Sequence, residues 1–231
     1  MQAVLEGNFR LEQKLEKMDA FFDARVEGYE EHMLSDIDAA PDFYRETMHN
    51  LPKVPGMHVL DLGCGTGLEL EGVFQAVPDA EVTGIDVSQK MLGKLHAHFA
   101  NMGKRVTLVW GDYLEHDFGV ERYDTVLSVE SLHHFAPETK QQLYWKLHLC
   151  LKPGGVFLNT DYIAKDEAEQ AAAFDAYARL SDGKPAGYFH FDTPLTVENE
   201  CRLLREAGFQ NVRCVWRKDA TAILLAQKEE A

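Results

Sequence analysis

The segment Asp61-Leu62-Gly63-Cys64-Gly65-Thr66-Gly67 follows a short apolar run and precedes a helical pattern. A glycine-rich turn between a strand and a helix lets the backbone approach a ligand closely, at the carboxyl edge of an open α/β sheet. Two ligand chemistries use such a turn. A dinucleotide needs G-x-G-x-x-G, with amides at the helix N-terminus holding the pyrophosphate. Here the glycines fall at 63, 65 and 67, and Leu68 occupies the place of the last dinucleotide glycine. Glu69 and Glu71 open the helix, where a pyrophosphate would be repelled. Asp61 ends the strand ahead of the glycines. A carboxylate there suits a ligand carrying an ammonium and a sulfonium.

The segment resembles motif I of the class I S-adenosylmethionine (SAM)-dependent methyltransferases, D-x-G-x-G-x-G, and the resemblance extends over most of residues 20–228. It implies SAM as cofactor and S-adenosylhomocysteine as product, with Asp61, Gly63, Cys64 and Gly65 at the cofactor. Asp86 ends the next strand, nineteen residues beyond Gly67, where an acid can accept both ribose hydroxyls. Its position also favours a helix N-terminus. Asp112, in Gly111-Asp112-Tyr113, resembles the position whose carboxylate accepts from the adenine amino group; taken alone it is a turn-forming aspartate. Val87 and Tyr113 flank these acids and are placed to sandwich the adenine ring. Ser128-Val129-Glu130-Ser131-Leu132-His133-His134-Phe135 resembles the family's motif IV region, whose first residues, here Ser128 and Val129, face the methionine end of SAM. An early tyrosine of the family often closes over that end. Tyr29 is the candidate here, with Arg25 for the cofactor carboxylate.

Methyl transfer from a sulfonium is an in-line displacement, so the protein must mainly place the nucleophile and remove its proton where needed. His133 and His134 are the candidate bases, because imidazole titrates near operating pH, and Glu130 is a third. No metal is expected. His96 and His98 stand two apart on a helix and point in different directions, and the His133-His134 pair has no acids at ligand spacing.

The elements that must position these groups alternate. Short apolar strands are expected at His58–Leu62, Glu81–Ile85, Val106–Trp110, Tyr123–Val129 and Val156–Ile163. Helices fall between them: one runs to Val77, one starts from Ser88 with Met91, Leu92, Leu95 and Phe99 on one face, and one is stopped by Lys152-Pro153-Gly154-Gly155. Such alternation implies a parallel sheet covered on both faces. A helix over Glu198–Ala207 precedes a hairpin, Val212–Arg217 and Ala222–Gln227, which adds one reversed strand at the end of the sheet. The expected fold is therefore Rossmann-like, seven-stranded and mostly parallel, with one antiparallel strand and helices on both faces. Residues 9–50 read as two helices, so residues 1–50 are expected to form an N-terminal helical cap ahead of a SAM-binding domain over 51–231. Residues 164–197 fit no strand–helix unit and look like a lid-like insertion. With Tyr162, its Tyr177, Tyr188, Phe189, His190 and Phe191 should roof an acceptor pocket, and this aromatic character suits a small, partly apolar molecule.

A charge of −15 repels phosphate backbones at long range, which argues against a nucleic-acid substrate. The tail from Thr196 to Phe209 nonetheless resembles that of the bacterial SAM-fold enzymes that carboxymethylate wobble uridine, whose glycine motif differs. A tRNA-modifying enzyme and a noncatalytic SAM-binding module are thus the alternatives to a small-molecule methyltransferase. The four cysteines fit no disulfide framework, the first seventeen residues hold no apolar leader, and no apolar run reaches membrane length. The expectation is a cytoplasmic protein.

Overall fold

The computed structural model describes residues 15–182 and 189–230. Phe9 and Leu11 of the predicted first helix, and Tyr188 of the predicted roof, lie outside the described residues.

Seven strands form one sheet: β1 (His58–Leu62), β2 (Glu81–Asp86), β3 (Val106–Trp110), β4 (Tyr123–Val129), β5 (Leu151–Tyr162), β6 (Gln210–Lys218) and β7 (Thr221–Gln227). Their order is β3-β2-β1-β4-β5-β7-β6. β1 pairs in parallel with β2 and β4, and β7 alone runs against its neighbours β5 and β6. The reversed strand thus sits one place in from the edge, and not at the end as expected. The short hairpin returns β6 to the outside, parallel to the rest.

Helices cover both faces: α1 (Met18–Arg25), α2 (Tyr29–Ser35), α3 (Ala40–Asn50), α4 (Leu70–Ala76), α5 (Gln89–His98), α6 (Pro137–Cys150), α7 (Glu167–Ser181) and α8 (Val197–Glu206). The fully buried strand residues Leu60, Leu62, Val126 and Phe157 face α6 and α8 in one apolar cluster. Val59, Val82, Leu127 and Leu158 face α3, α4 and α5 in the other. Ser88 caps α5 as expected, its hydroxyl accepting from Met91 N at 3.1 Å. On the first face, the buried Lys140 of α6 pairs with Glu200 of α8, which also accepts from the Tyr144 hydroxyl at 2.7 Å.

Two element boundaries differ from expectation. The N-terminal region forms three short helices instead of two, because the apolar spacing runs on past Arg25 while the backbone breaks at residues 26–28, with Gly28 leading into α2. β5 begins at Leu151, five residues early, because Lys152-Pro153-Gly154-Gly155 continues the strand through an irregular register beside Tyr123 and Thr125. Gly154 finds its acceptor at Glu229 O.

Candidate active site

The carboxyl ends of β1, β2 and β4 open onto one cavity of about 600 Å³. Its lining includes Gly63, Gly65, Asp86, Val87, Asp112 and Tyr113 from the sheet edge, and Glu130, Ser131 and His134 from the loop after β4. Met18, Phe22 and Tyr29 close it from the N-terminal helices.

The glycine turn is shaped by two demands. Gly63 has a φ of +65°, and a Cβ there would lie 2.2 Å from the Ser131 hydroxyl. Gly65, with a φ of +49°, lies directly beneath the Tyr29 ring, 3.6 Å from where its Cβ would be. No side chain fits at 63, and a left-handed backbone is needed at both. Asp86 holds the loop in place. One of its oxygens accepts from Gly65 N at 2.9 Å and the other from Ser88 N at 2.7 Å. Each oxygen keeps a further lone pair for a ligand hydroxyl. Asp112 is half-buried and accepts from Leu114 N at 2.8 Å, so it does form the turn as well as facing the cavity.

Burial raises the carboxyl of Asp86 to about 6, against the pull of its backbone donors. Burial also pushes Asp61 well above the usual carboxylate range, with the nearby charges of Glu69 and Asp86 adding to the effect, and it raises Glu69 too. Asp61 is fully buried, and neither of its carboxylate oxygens has a hydrogen-bond partner among the described residues. An orphaned buried carboxylate of this kind fits the cationic end of SAM, whereas a diphosphate would meet three acids.

The other cofactor candidates divide. Tyr29 and Val87 line the cavity, and Tyr113 is anchored by its hydroxyl at 3.0 Å from Ser131 Oγ. Asp61, Cys64, Ser128 and Val129 are buried but do not line it; Cys64 packs into the apolar cluster beside Val82 and Leu95. Arg25 is exposed, pairs with Glu16 at 3.1 Å and lies over the Phe21 ring, and it is not among the residues lining the cavity.

Beyond the methionine end, the loop after β4 meets residues that sequence spacing did not connect. Glu130 has a φ of +50°, a strained backbone for a non-glycine residue, held by its N–H donating to Thr160 O at 2.7 Å. The ring of His133 donates from Nδ1 to Asp161 Oδ1 at 2.7 Å, and its Nε2 lies 3.6 Å from Asp192 Oδ1. His134 Nδ1 lies 3.2 Å from that same Asp192 oxygen. Burial opposes a charge on His133, but Asp161, Asp192 and Glu130 outweigh it and raise the imidazole to about 9. His134 is lowered by burial and by its neighbour His133. Asp161 and Asp192 are held below the usual range by the histidines, against their own burial. Glu130 rises to about 8, chiefly through burial. The expectation that the histidine pair lacks nearby acids is overturned: the acids arrive from β5 and from the insertion, 28 and about 60 residues away. A polar run, Asn159-Thr160-Asp161, inside an otherwise apolar strand was the signal that could have found Asp161.

The predicted roof assembles in part. Tyr162 packs edge-on against His133 at 5.8 Å between ring centroids, and Tyr177 meets Phe191 at 5.6 Å. His190 stacks on Phe21 at 3.5 Å, and Phe189 pairs with Lys17 through a backbone bridge. The insertion therefore packs against the N-terminal segment, but none of these roof residues is among those lining the cavity.

Comparison with known proteins bears on the family and the fold. Residues 59–155 match the family described as a methyltransferase domain. The chain is 30% identical to the carboxy-S-adenosyl-L-methionine synthase of Wolinella succinogenes, over 91% of this chain and 94% of that one. It is 32% identical to a sterol 24-C-methyltransferase of Gibberella zeae, over 53% of this chain but only 33% of that larger protein. Human N-acetylserotonin methyltransferase in complex with SAM shares the fold, with a TM-score of 0.58 and 18% identity over 90% of this chain and 55% of that one.

Proposed function

The chain belongs to the class I SAM-dependent methyltransferases, and from that premise we propose that it transfers the methyl group of SAM to a small-molecule acceptor held between the loop after β4 and the insertion. One observation carries this: a single cavity joins the glycine turn and acids suited to SAM to Glu130, Ser131 and His134. Bound SAM supplies an electrophilic methyl on a positively charged sulfur. The protein does the rest. Asp61 would neutralise the amino-acid end, Asp86 would accept from the ribose, and Asp112 with Val87 and Tyr113 would hold the base. Tyr29, over Gly65, would exclude water from the methionine end. The acceptor then meets Glu130 and His134, which line the cavity, whereas His133 is not among the lining residues and pairs with Asp161. Asp161 is a positioning residue. The net charge of −15 supports a small molecule over a nucleic acid.

A second reading has its own support, since the Wolinella succinogenes relative spans nearly the whole chain. A synthase of carboxy-SAM must add a carboxyl group to SAM itself. The cavity lining contains neither Lys nor Arg among the described residues, so an anionic carboxyl donor would have no basic side chain of the lining to hold it.

The test is incubation of the purified protein with methyl-labelled SAM and a panel of small hydroxyl, amine and thiol compounds, with tRNA as comparison. Label is expected in a small molecule, with S-adenosylhomocysteine released. Label in tRNA, or SAM returned heavier by a carboxyl group, would overturn the reading.

A further inference from the structure

The cluster at the acceptor side is organised for more than a hydrogen-bond network. The Asp161 carboxylate receives the His133 Nδ1–H at 2.7 Å, which fixes that nitrogen as the donor. In the neutral ring the lone pair is then on Nε2, which faces the Asp192 carboxylate at 3.6 Å. A proton on Nε2 fills that gap when the ring is charged, and a metal ion that displaces the proton fills it equally well. His134 Nδ1 lies 3.2 Å from the same oxygen. Its side chain is only 4% exposed, and Nδ1 makes no hydrogen bond among the described residues.

We propose that His133 Nε2, His134 Nδ1 and the Asp192 carboxylate form a binding site for a divalent transition-metal ion, with Asp161 orienting His133 behind it. The three ligand atoms lie within 4.8 Å of one another. Metal–ligand bonds of about 2.0–2.1 Å in a tetrahedral site put neighbouring ligands roughly 3.3 Å apart, and the separations of Asp192 Oδ1 from the two histidine nitrogens, 3.2 and 3.6 Å, bracket that spacing. A carboxylate that fixes the far nitrogen of a ligating histidine is the usual support of such sites. Two imidazoles and one carboxylate suit zinc or ferrous iron over magnesium or calcium. Glu130 and Asp161 also approach His133, but through Nδ1, which already donates to Asp161, so that grouping lacks a free nitrogen.

Three protein ligands leave a coordination position open. His134 lines the cavity, so an acceptor oxygen entering it has that position within reach. This consequence rests on the proposed transfer reaction; the metal site itself does not. An acceptor hydroxyl bound there would lose its proton to solvent more readily. The freed oxygen then forms the new O–CH3 bond as the C–S bond breaks.

The test is titration of metal-stripped protein with Co²⁺ and Zn²⁺, without SAM or acceptor, followed by metal analysis and the visible d–d spectrum of Co²⁺. One tight ion per chain is expected, with a tetrahedral or five-coordinate spectrum. It should be lost in His134→Ala and in Asp192→Ala, retained in Glu130→Gln, and weakened roughly 10–100-fold in Asp161→Asn. Asp192 is half-exposed, so its variant should fold, and its circular dichroism and SAM titration separate metal loss from misfolding. No stoichiometric ion in the wild type would overturn the proposal. So would binding that survives Asp192→Ala, or binding that depends on Glu130 instead. Metal bound without methyl transfer to any compound would leave the site standing and count against the reaction alone.

Discussion

On the β1–β2 side of the cavity, Asp61, Glu69 and Asp86 are buried without an Arg or Lys partner among the described residues, and burial raises all three. On the β4–β5 side, Asp161 and Asp192 are also buried or partly buried, yet His133 and His134 hold them below the usual carboxylate range. The same residue type is left unpaired in one half and internally paired in the other. Unpaired buried carboxylates destabilise the empty fold, so their presence marks a site whose cation arrives with the ligand. Paired ones add to the fold and arrange the groups around them.

The largest test of this contrast is Asp86→Ala. It removes two acceptors for the ribose and the anchor of Gly65 and Ser88, each charge-assisted hydrogen bond being worth about 1.5–3 kcal/mol. SAM affinity measured by calorimetry should fall at least about 100-fold. Wild-type affinity in that variant would break the ribose assignment. Next comes stability in the opposite half. Asp161→Ala leaves the buried His133 ring without its partner and should lower unfolding stability by about 2 kcal/mol in a denaturant titration. An unchanged midpoint would remove the claim that this pair supports the fold.

The comparison sharpens with Asp61→Asn, where the sign should invert. The amide can donate toward the Glu69 carboxylate, which neighbours Asp61, and a buried charge is removed, so the ligand-free protein should gain roughly 1 kcal/mol. SAM should bind about 10-fold more weakly. A variant that loses stability would mean Asp61 is already satisfied within the fold. The smallest effect is on pH. Asp86 in the free protein titrates near 6 and must be ionised to hold the ribose, so its proton competes with SAM. Affinity should be about half its plateau value at pH 6 and fall about tenfold per unit below, as expected for one competing proton. Affinity that stays flat down to pH 4.5 would show that the carboxylate is not used.

The same division explains what could be read from the chain. The cofactor half is local in sequence: Asp61 to Gly67 lies on one turn, Asp86 and Asp112 each follow from a strand end, and alternation implies the parallel sheet that carries them. Turn chemistry and the resemblance to motif I therefore pointed to these residues. Tyr29 was reached from a resemblance and does meet the glycine turn, whereas Arg25, four residues earlier, sits on the outer side of α1. The acceptor half is assembled across distance. His133 meets Asp161 from the neighbouring strand and Asp192 from an insertion without regular strands. The polar run Asn159-Thr160-Asp161 marks one partner, but spacing does not bring the three together, because that depends on where β5 ends relative to β4 and how the insertion folds back. The strand boundary at Leu151 escaped for a related reason: a Pro-Gly-Gly run reads as a stop, while pairing with β4 carries the strand through it.

The account depends most on the buried acids beneath the glycine turn selecting a cationic nucleoside. Titration calorimetry of the purified protein with SAM and, separately, with NAD tests it directly. One SAM per chain with heat of binding, and none for NAD, is the predicted result. NAD bound with SAM ignored would contradict it.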